Sequence, residues 1–448
     1  MQRAEPNGQA ALKSLTHRRV WRLAWPVVLS NATVPILGAV DTGVIGQLGE
    51  ATPIGAVAIG AITIAAVYWV FGFLRMGTTG FTAQAHGAND QAEVVALLTR
   101  ALLIAAIVGV ILILLQGPIF RGAFLLSPAS PEVETLARDY LAIRIWSAPA
   151  AIAIYGATGW LVALERTRAV LAIQVWMNGL NILLDLVFVL SFGWGVEGVA
   201  FATFIAEWSG LALALWLCRD AFANTLWRAW DRVMDRARLS RMARVNSDIL
   251  IRSVLIKVIF LSFIYLGSDF GDVALAANQI LLQFLYITSY AMDGFAFAVE
   301  ALVGQAMGAR ARASLRRAAV LCGIWGLVCT LGLSLIFALA GGTIIDVMTT
   351  APEVREAARA YLIWMVLAPP LACAAWLLDG IFIGATRSRD MRNMMALSVM
   401  VYGIACLFLV PVYGNHGLWI SLVISFVARG VTLALCYPSL ERSVGKLG

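Results

Sequence analysis

The sequence predicts an all-α polytopic membrane protein, with twelve transmembrane helices in two pseudo-symmetric six-helix bundles. Three observations carry this. Hydrophobic residues make up 61% of the chain and charged residues 13%, against roughly a quarter charged in an ordinary soluble domain. The apolar residues come in continuous runs of about 20, the length that crosses a bilayer as a helix. The second half of the chain repeats the first at a constant offset of 221 residues, as from Gln84 to Gln305. The runs do not alternate apolar with polar, as the strands of a transmembrane β-barrel must.

In order, the runs lie near 23–46, 54–82, 96–116, 141–164, 170–191, 196–217, 249–266, 274–306, 318–340, 362–383, 394–412 and 417–437. The second and eighth are long enough to tilt or to project from the bilayer. Ahead of the first, residues 1–22 form a polar tail with no apolar h-region before a cleavage site, so the first span itself reads as the insertion signal. Residues 23–218 form an N-lobe and 249–437 a C-lobe. Between them, 219–248 is basic and amphipathic and reads as a connector lying on the cytoplasmic membrane face. A short tail, 438–448, closes the chain.

The net charge of +7 is a matter of topology, not of nucleic-acid binding. One side of the membrane carries Arg3, Lys13, Arg18, Arg19 and Arg22 of the tail, Arg100, Arg166, Arg168 and the connector. The same side carries Arg310, Arg312, Arg316, Arg317, Arg387, Arg389, Arg392, Arg442 and Lys446. The other side has Arg121, Arg138, Arg144, Arg355 and Arg359. By the positive-inside rule both termini are cytoplasmic, which needs an even number of spans and makes this a multi-pass protein of the inner (plasma) membrane. The six cysteines lie in or at the ends of apolar runs without metal-ligand spacing and read as buried, free, small hydrophobes. His17, His86 and His416 read as solvated or capping residues.

The repeat is specific in its residues. FTAQAHGA at 81–88 matches LVGQAMGA at 302–309, RDYL at 138–141 matches RAYL at 359–362, Pro149 matches Pro370, Gly159 matches Gly380 and Arg166 matches Arg387. A repeat covering a whole half gives two bundles. With six spans each they enter the membrane in the same orientation, an arrangement suited to rocking about a central cavity.

Within this apolar frame a few polar residues stand out. Gln174, Asn178, Asn181 and Asp185 lie on the fifth span, VLAIQVWMNGLNILLDLVFVL. At about 100° per residue they fall within roughly a 60° arc. Asp41 sits in the middle of the first span. An ionisable group at membrane depth costs about 2.5–3.5 kcal/mol on insertion scales, so it marks an ion or substrate path. At the repeat offset the stripe becomes Met395, Val399, Tyr402 and Cys406, and Asp41 becomes Ser262. Carboxylates needed only for bundle packing would tend to be kept in both halves, and these are not.

The C-half has its own polar set. Tyr286, Asp293 and Glu300 follow one another at seven-residue spacing on the eighth span, Asp379 lies in the tenth, and Arg252 and Lys257 lie in the seventh. They read equally as a surface for a cationic substrate or second proton relay, and as internal ion pairs of Arg252 or Lys257 with Asp379 or Asp293. Arg75 and Arg429 read as snorkelling or paired residues. Glu207, one turn after Thr203, faces either the same N-half cavity or a helix contact.

Four stretches make a family recognisable: 25–48 (WPVVLSNATVPILGAVDTGVIGQL), 73–88 (FLRMGTTGFTAQAHGA), 292–309 (MDGFAFAVEALVGQAMGA) and 378–387 (LDGIFIGATR). The chain resembles the DinF branch of the multidrug and toxic compound extrusion (MATE) transporters from about Leu23 to Tyr437. The resemblance implies a V of two lobes. It also implies a monomeric antiporter exporting organic, usually cationic or amphiphilic compounds against an inward H⁺ or Na⁺ gradient. The family's cation site corresponds to Asp41, Asn181, Asp185 and Thr203, and its bending proline to Pro26. One departure is plain: where the NorM branch carries an acid on its seventh helix, Arg252 and Lys257 stand here, although its tenth-helix acid matches Asp379.

A bare carboxylate is costly out of water, so Asp41 and Asp185 are suited to take up and release a proton as access alternates. With the Asn181 amide oxygen and the Thr203 hydroxyl they also form an all-oxygen set for Na⁺, by analogy with other hard cations. Pro26 and Pro35 each weaken the first helix and give it two places to bend. No cofactor is expected beyond the coupling ion. A lipid-linked precursor flippase of the same superfamily would favour a strongly cationic cavity over a carboxylate pair. A channel would be built of short identical subunits. An intramembrane aspartyl protease needs a GxGD motif, whereas Gly271-Asp272 follows Asp269-Phe270 in an outer loop. No HExxH, GxSxG or P-loop occurs, and an enzyme is not indicated.

Overall fold

The computed structural model describes residues 15–47, 49–126 and 129–444, with side chains for all of these except 34, 36, 37, 39 and 42. Most of the N-terminal tail, with Arg3 and Lys13, and the C-terminal Lys446 lie outside the described residues. Those described are helical almost throughout, with no strand among them. Twelve long helices follow one another: α1 (His17–Gly46), α2 (Ala51–Gly87), α3 (Gln91–Leu114), α4 (Pro131–Ala163), α5 (Thr167–Ser191), α6 (Gly195–Leu217), α7 (Arg236–Ser268), α8 (Asp272–Gly308), α9 (Arg312–Met348), α10 (Pro352–Gly384), α11 (Ser388–Tyr413) and α12 (Asn415–Ser443). Helices α2 to α12 are long and apolar enough to cross a membrane, and α1 has 30 residues. Leu114, Leu339, Leu407 and Leu435 stand at least 75% exposed, as lipid-facing side chains do.

One expectation is corrected here. Helix α7 begins at Arg236, so the latter part of 219–248 is continuous with the seventh apolar span and not a separate connector. Asp235 caps it by accepting from the Arg238 N–H at 2.8 Å, and no Gly or Pro interrupts the stretch before the apolar span. Only the short turns Arg219–Phe222, Thr225–Arg228 and Trp230–Val233 remain as connector. Helix α1 stays helical through both Pro26 and Pro35, each of which removes one backbone donor. The helix does change company: by packing, one compact unit takes the chain up to Val28 with Ala83–Asn89 and Ser240–Gly448, and the other takes Leu29–Thr82 and Asp90–Leu239.

The repeat is present in the backbone itself. Non-glycine residues in the left-handed region occur at Asn89 and Arg310 and at Glu165 and Thr386, two pairs separated by the sequence offset. After the second pair the same two bonds recur, Arg166 N–H to Leu161 C=O and Arg387 N–H to Phe382 C=O, both at 2.8–2.9 Å. Each turn reverses the chain into the next helix.

Close backbone approaches recur in register as well. A Cβ on Gly159 would lie 2.4 Å from the Arg75 carbonyl oxygen, and one on Gly380 would lie 2.8 Å from that of Ala296. The tightest contact is reciprocal. A Cβ on Gly87 would lie 2.0 Å from the Gln305 carbonyl oxygen, and one on Gly308 would lie 1.9 Å from that of Gln84. The ends of α2 and α8 therefore cross at a distance only glycine permits. Gln84 then donates from Nε2 to the Gly384 carbonyl at 2.9 Å and lies 3.1 Å from Thr386 Oγ1, tying α10 to the crossing.

The cores of the two units are built differently. In the unit holding the C-half, Phe263 meets Trp419 edge-on at 4.6 Å and Phe284 meets Phe337 at 4.9 Å. Asn278 and Asn415 exchange amide hydrogen bonds at 2.8 and 2.9 Å beside them. In the other unit Trp160 donates to the Val94 carbonyl at 2.9 Å, and Tyr140 packs where Gly60 leaves room.

The crossing is directly testable. Gly308→Ala should lower stability by about 3 kcal/mol or more, because the added carbon meets backbone and not a movable side chain. Gly323→Ala, with no atom within 4 Å of the new carbon, should be neutral or stabilise by up to about 1 kcal/mol. Apparent Tm in one detergent would show both, and equal values would refute the contact.

Candidate functional site

Helix α5 carries Gln174, Asn178, Asn181 and Asp185 on one face, the last three at most 5% exposed. Asp41 of α1 reaches hydrogen-bonding contact with Asp185. Two carboxyls placed this close can share one proton between them. The Asn181 amide lies between these acids and Thr203 of α6. In the orientation that satisfies both ends, Nδ2 donates to Asp185 Oδ2 and Asp41 Oδ1, each at 3.2 Å, while the amide oxygen faces Thr203 Oγ1 at 3.0 Å. Asp185 Oδ1 is buried and has no hydrogen-bond donor among the described residues. Directly after Asp185 the helix widens into a π turn, Leu186–Ser191, a departure often found beside functional residues.

The stripe continues along α5. Gln174 donates to Asn178 at 3.0 Å, Asn178 to Thr33 Oγ1 of α1 at 2.7 Å, and Thr33 to the Ser30 carbonyl at 2.7 Å. Thr33, two turns before Asp41, is a member of the set that sequence reading missed.

Beside the acids lies an ion pair. Arg144 of α4 meets Glu207 of α6 with both guanidinium ends, at 2.5 and 3.0 Å, and also donates to Ser147 Oγ at 2.9 Å. Tyr68 donates to the Arg144 carbonyl at 2.7 Å, and Tyr140 lies beside the guanidinium. Arg144 is close enough to Asp41 to act on its charge. The sequence reading placed Arg144 on the outer side of the membrane. It is instead 5% exposed within α4, because Glu207, one turn beyond Thr203, supplies the counter-charge. A Tyr140–Arg144 spacing of one turn was the available signal.

The equivalent positions in the C-half hold a neutral set. Ser262 Oγ lies 3.5 Å from Tyr402 Oη, with Cys406 near Tyr402 and Ser421. Asp379 is taken up by two arginines. Arg252 contacts it directly, and Arg429 lies 3.7 Å away with Phe426 under its guanidinium. Of the readings left open for Asp379, the geometry shows ion pairing. Along α8, Glu300 is buried, Asp293 half-buried and Tyr286 exposed, with about 10 Å of helix between successive members.

A duplicated set of twelve membrane-spanning helices with polar chemistry concentrated in one half defines a class, the helical membrane transporters. The chain belongs to the MatE family, the MATE transporters, and to its DinF branch: the family model matches residues 26–187 and 249–409, one block in each half. The DNA damage-inducible protein F of Escherichia coli (strain K12) is 39% identical over 433 residues, covering 95% of this chain and 92% of that one. A probable multidrug resistance protein NorM of Pseudomonas aeruginosa is 26% identical over 445 residues, 93% of this chain and 88% of that one. Among solved structures, the Vibrio cholerae MATE transporter VcmN in its bent form shares the fold with a TM-score of 0.86 at 20% identity, covering 98% of this chain and 99% of that one.

Removing one partner of the Arg144–Glu207 pair strands a buried charge. Arg144→Leu should therefore destabilise by about 3–5 kcal/mol, and Arg144→Leu with Glu207→Leu should regain most of that loss. A double-mutant cycle on apparent unfolding decides it. Additive losses would show that the two side chains are not coupled.

Proposed function

We propose that this transporter is a secondary antiporter exporting organic, cationic or amphiphilic compounds in exchange for H⁺ or Na⁺, with Asp41, Asn181, Asp185 and Thr203 as the coupling site. The observation that carries this is the close approach of the two carboxyls beside the Asn181 amide, with Asp185 fully buried and no guanidinium bonded to either among the described residues. Such a pair stays in an apolar bundle only when an ion neutralises it. Loss of that ion leaves a charge that an organic cation can meet in its place, and alternate occupancy is sufficient for antiport.

In the orientation that satisfies both ends, Asn181 turns its NH₂ to the two acids and donates to them, which supports a proton as the coupling ion. A Na⁺ state would require the amide to turn. Gln174 and Asn178 line the approach along α5; Tyr286, Asp293 and Glu300 are the candidates for substrate contact on α8. Pro26 precedes by two residues the point where α1 passes from one compact unit to the other, which suits a hinge inside a continuous helix. A flippase for lipid-linked precursors is the alternative within the superfamily, and the acid–amide composition of this site supports it less well.

The test uses purified protein in liposomes, with a pH gradient or a Na⁺ gradient imposed separately and efflux of a fluorescent organic cation followed. Asp41→Asn and Asp185→Asn should each abolish gradient-driven efflux at normal membrane abundance, since neutralising a buried acid does not harm the fold. Cys406→Ala, at the equivalent C-half position, should transport near the wild-type rate. Normal efflux by either Asn variant, or equal loss with Cys406→Ala, would sink the assignment.

A further inference from the structure

The two halves differ at the start of their third helices. In the first half the face of α3 formed by residues 94–98 is buried, and the connector is fastened beside it. Arg100 donates from Nε to the Val233 carbonyl at 2.9 Å and from Nη2 to the Arg232 carbonyl at 2.5 Å. Arg232 in turn pairs with Asp90 at 2.6 Å, and Arg238 with Glu93.

At the repeat offset Gln91, Val95, Ala96, Thr99 and Arg100 become Arg312, Arg316, Arg317, Val320 and Leu321 of α9. Here the same face is open. Arg312, Arg316, Arg317, Val320, Leu321 and Glu441 line a groove of about 800 Å³. Glu441 of α12 pairs with Arg312 at 3.0 Å. Among the described residues neither Arg316 nor Arg317 has an acidic partner. The Tyr437 hydroxyl, close to Arg312 and Arg316, is buried and has no hydrogen-bond partner. Below the arginines runs a stripe of exposed apolar side chains at helical spacing: Val320, Ile324, Leu327 and Leu331, each 44–53% exposed.

We propose that this groove binds the headgroup of an anionic phospholipid, its phosphate on the guanidinium groups of Arg316 and Arg317 and its acyl chain along the Val320–Leu331 stripe. Arginine forks match phosphate oxygens in pairs, and the Tyr437 hydroxyl supplies a further donor. Three arginines against one glutamate leave the lining positive. A soluble anion would use the charges but leave the apolar stripe uncovered, so both features together select a lipid. The inference rests on the membrane fold and the groove, and is independent of the antiport reading.

The full-length protein in neutral detergent is titrated with phosphatidylglycerol, phosphatidylcholine or glycerol 3-phosphate, and bound species are counted by native mass spectrometry. Phosphatidylglycerol should bind at least tenfold more tightly than phosphatidylcholine. Arg316→Ala with Arg317→Ala should weaken it by about tenfold or more, from roughly fivefold per arginine. Glu441→Gln should tighten it, and Arg121→Ala should change nothing. The arginines are exposed, so the apparent Tm of the double variant without lipid should match the wild type. Unchanged phosphatidylglycerol affinity in the double variant would overturn the site. Competition by glycerol 3-phosphate as strong as by the lipid would make it a soluble-anion site and overturn the lipid assignment.

Discussion

The fold depends on one backbone crossing, where Gly87 and Gly308 each lie against the carbonyl of the glutamine three residues before the other. No side chain larger than hydrogen fits there, and no side chain defines the contact, so it fixes the ends of α2 and α8 independently of what either helix carries elsewhere. The left-handed turns at Asn89 and Arg310 then launch α3 and α9 from fixed points. A frame held by main-chain contacts leaves the interior residues of each half free to diverge. They have diverged: a pair of acids stands where the other half has serine and cysteine.

Four acids of the spans differ in their partners. Asp379 lies between two guanidinium groups, and Glu207 is held by both ends of one. Their charge is balanced permanently by the protein, and exchanging an ion there would mean breaking a buried pair. Asp41 and Asp185 have each other and the Asn181 amide, and among the described residues no guanidinium is bonded to either. Arg144, occupied by Glu207, tunes this neighbourhood without closing it.

Much of this was legible in the sequence because the bilayer leaves few choices. Continuous apolar runs gave all twelve helices, and the 221-residue offset reappeared in glycine contacts and in positive-φ residues. The face shared by Asn181 and Asp185 followed from helical periodicity alone. What escaped depended on partners far apart in the chain. Arg144 looked like an outer-side residue until Glu207, 63 residues on, was placed beside it. Thr33 is an ordinary threonine except for its contact with Asn178, 145 residues away. The start of α7 at Arg236 was hidden because a basic amphipathic stretch is equally at home on a membrane face or as an aqueous extension of a spanning helix.

Placing the proposed coupling site in one half bears on energetics. If the pair gives up one proton per cycle to a monovalent organic cation, one positive charge moves each way and the exchange is electroneutral. The membrane potential, worth about 2.3 kcal/mol per charge per 100 mV, then contributes nothing. Accumulation is set by the pH difference alone, at about a factor of ten per unit. The neutral Ser262–Tyr402–Cys406 set in the other half thus sets a ceiling on the concentration ratio such an exporter can sustain. A chain with acids in both halves would escape that ceiling, at the expense of a second ion for every molecule moved.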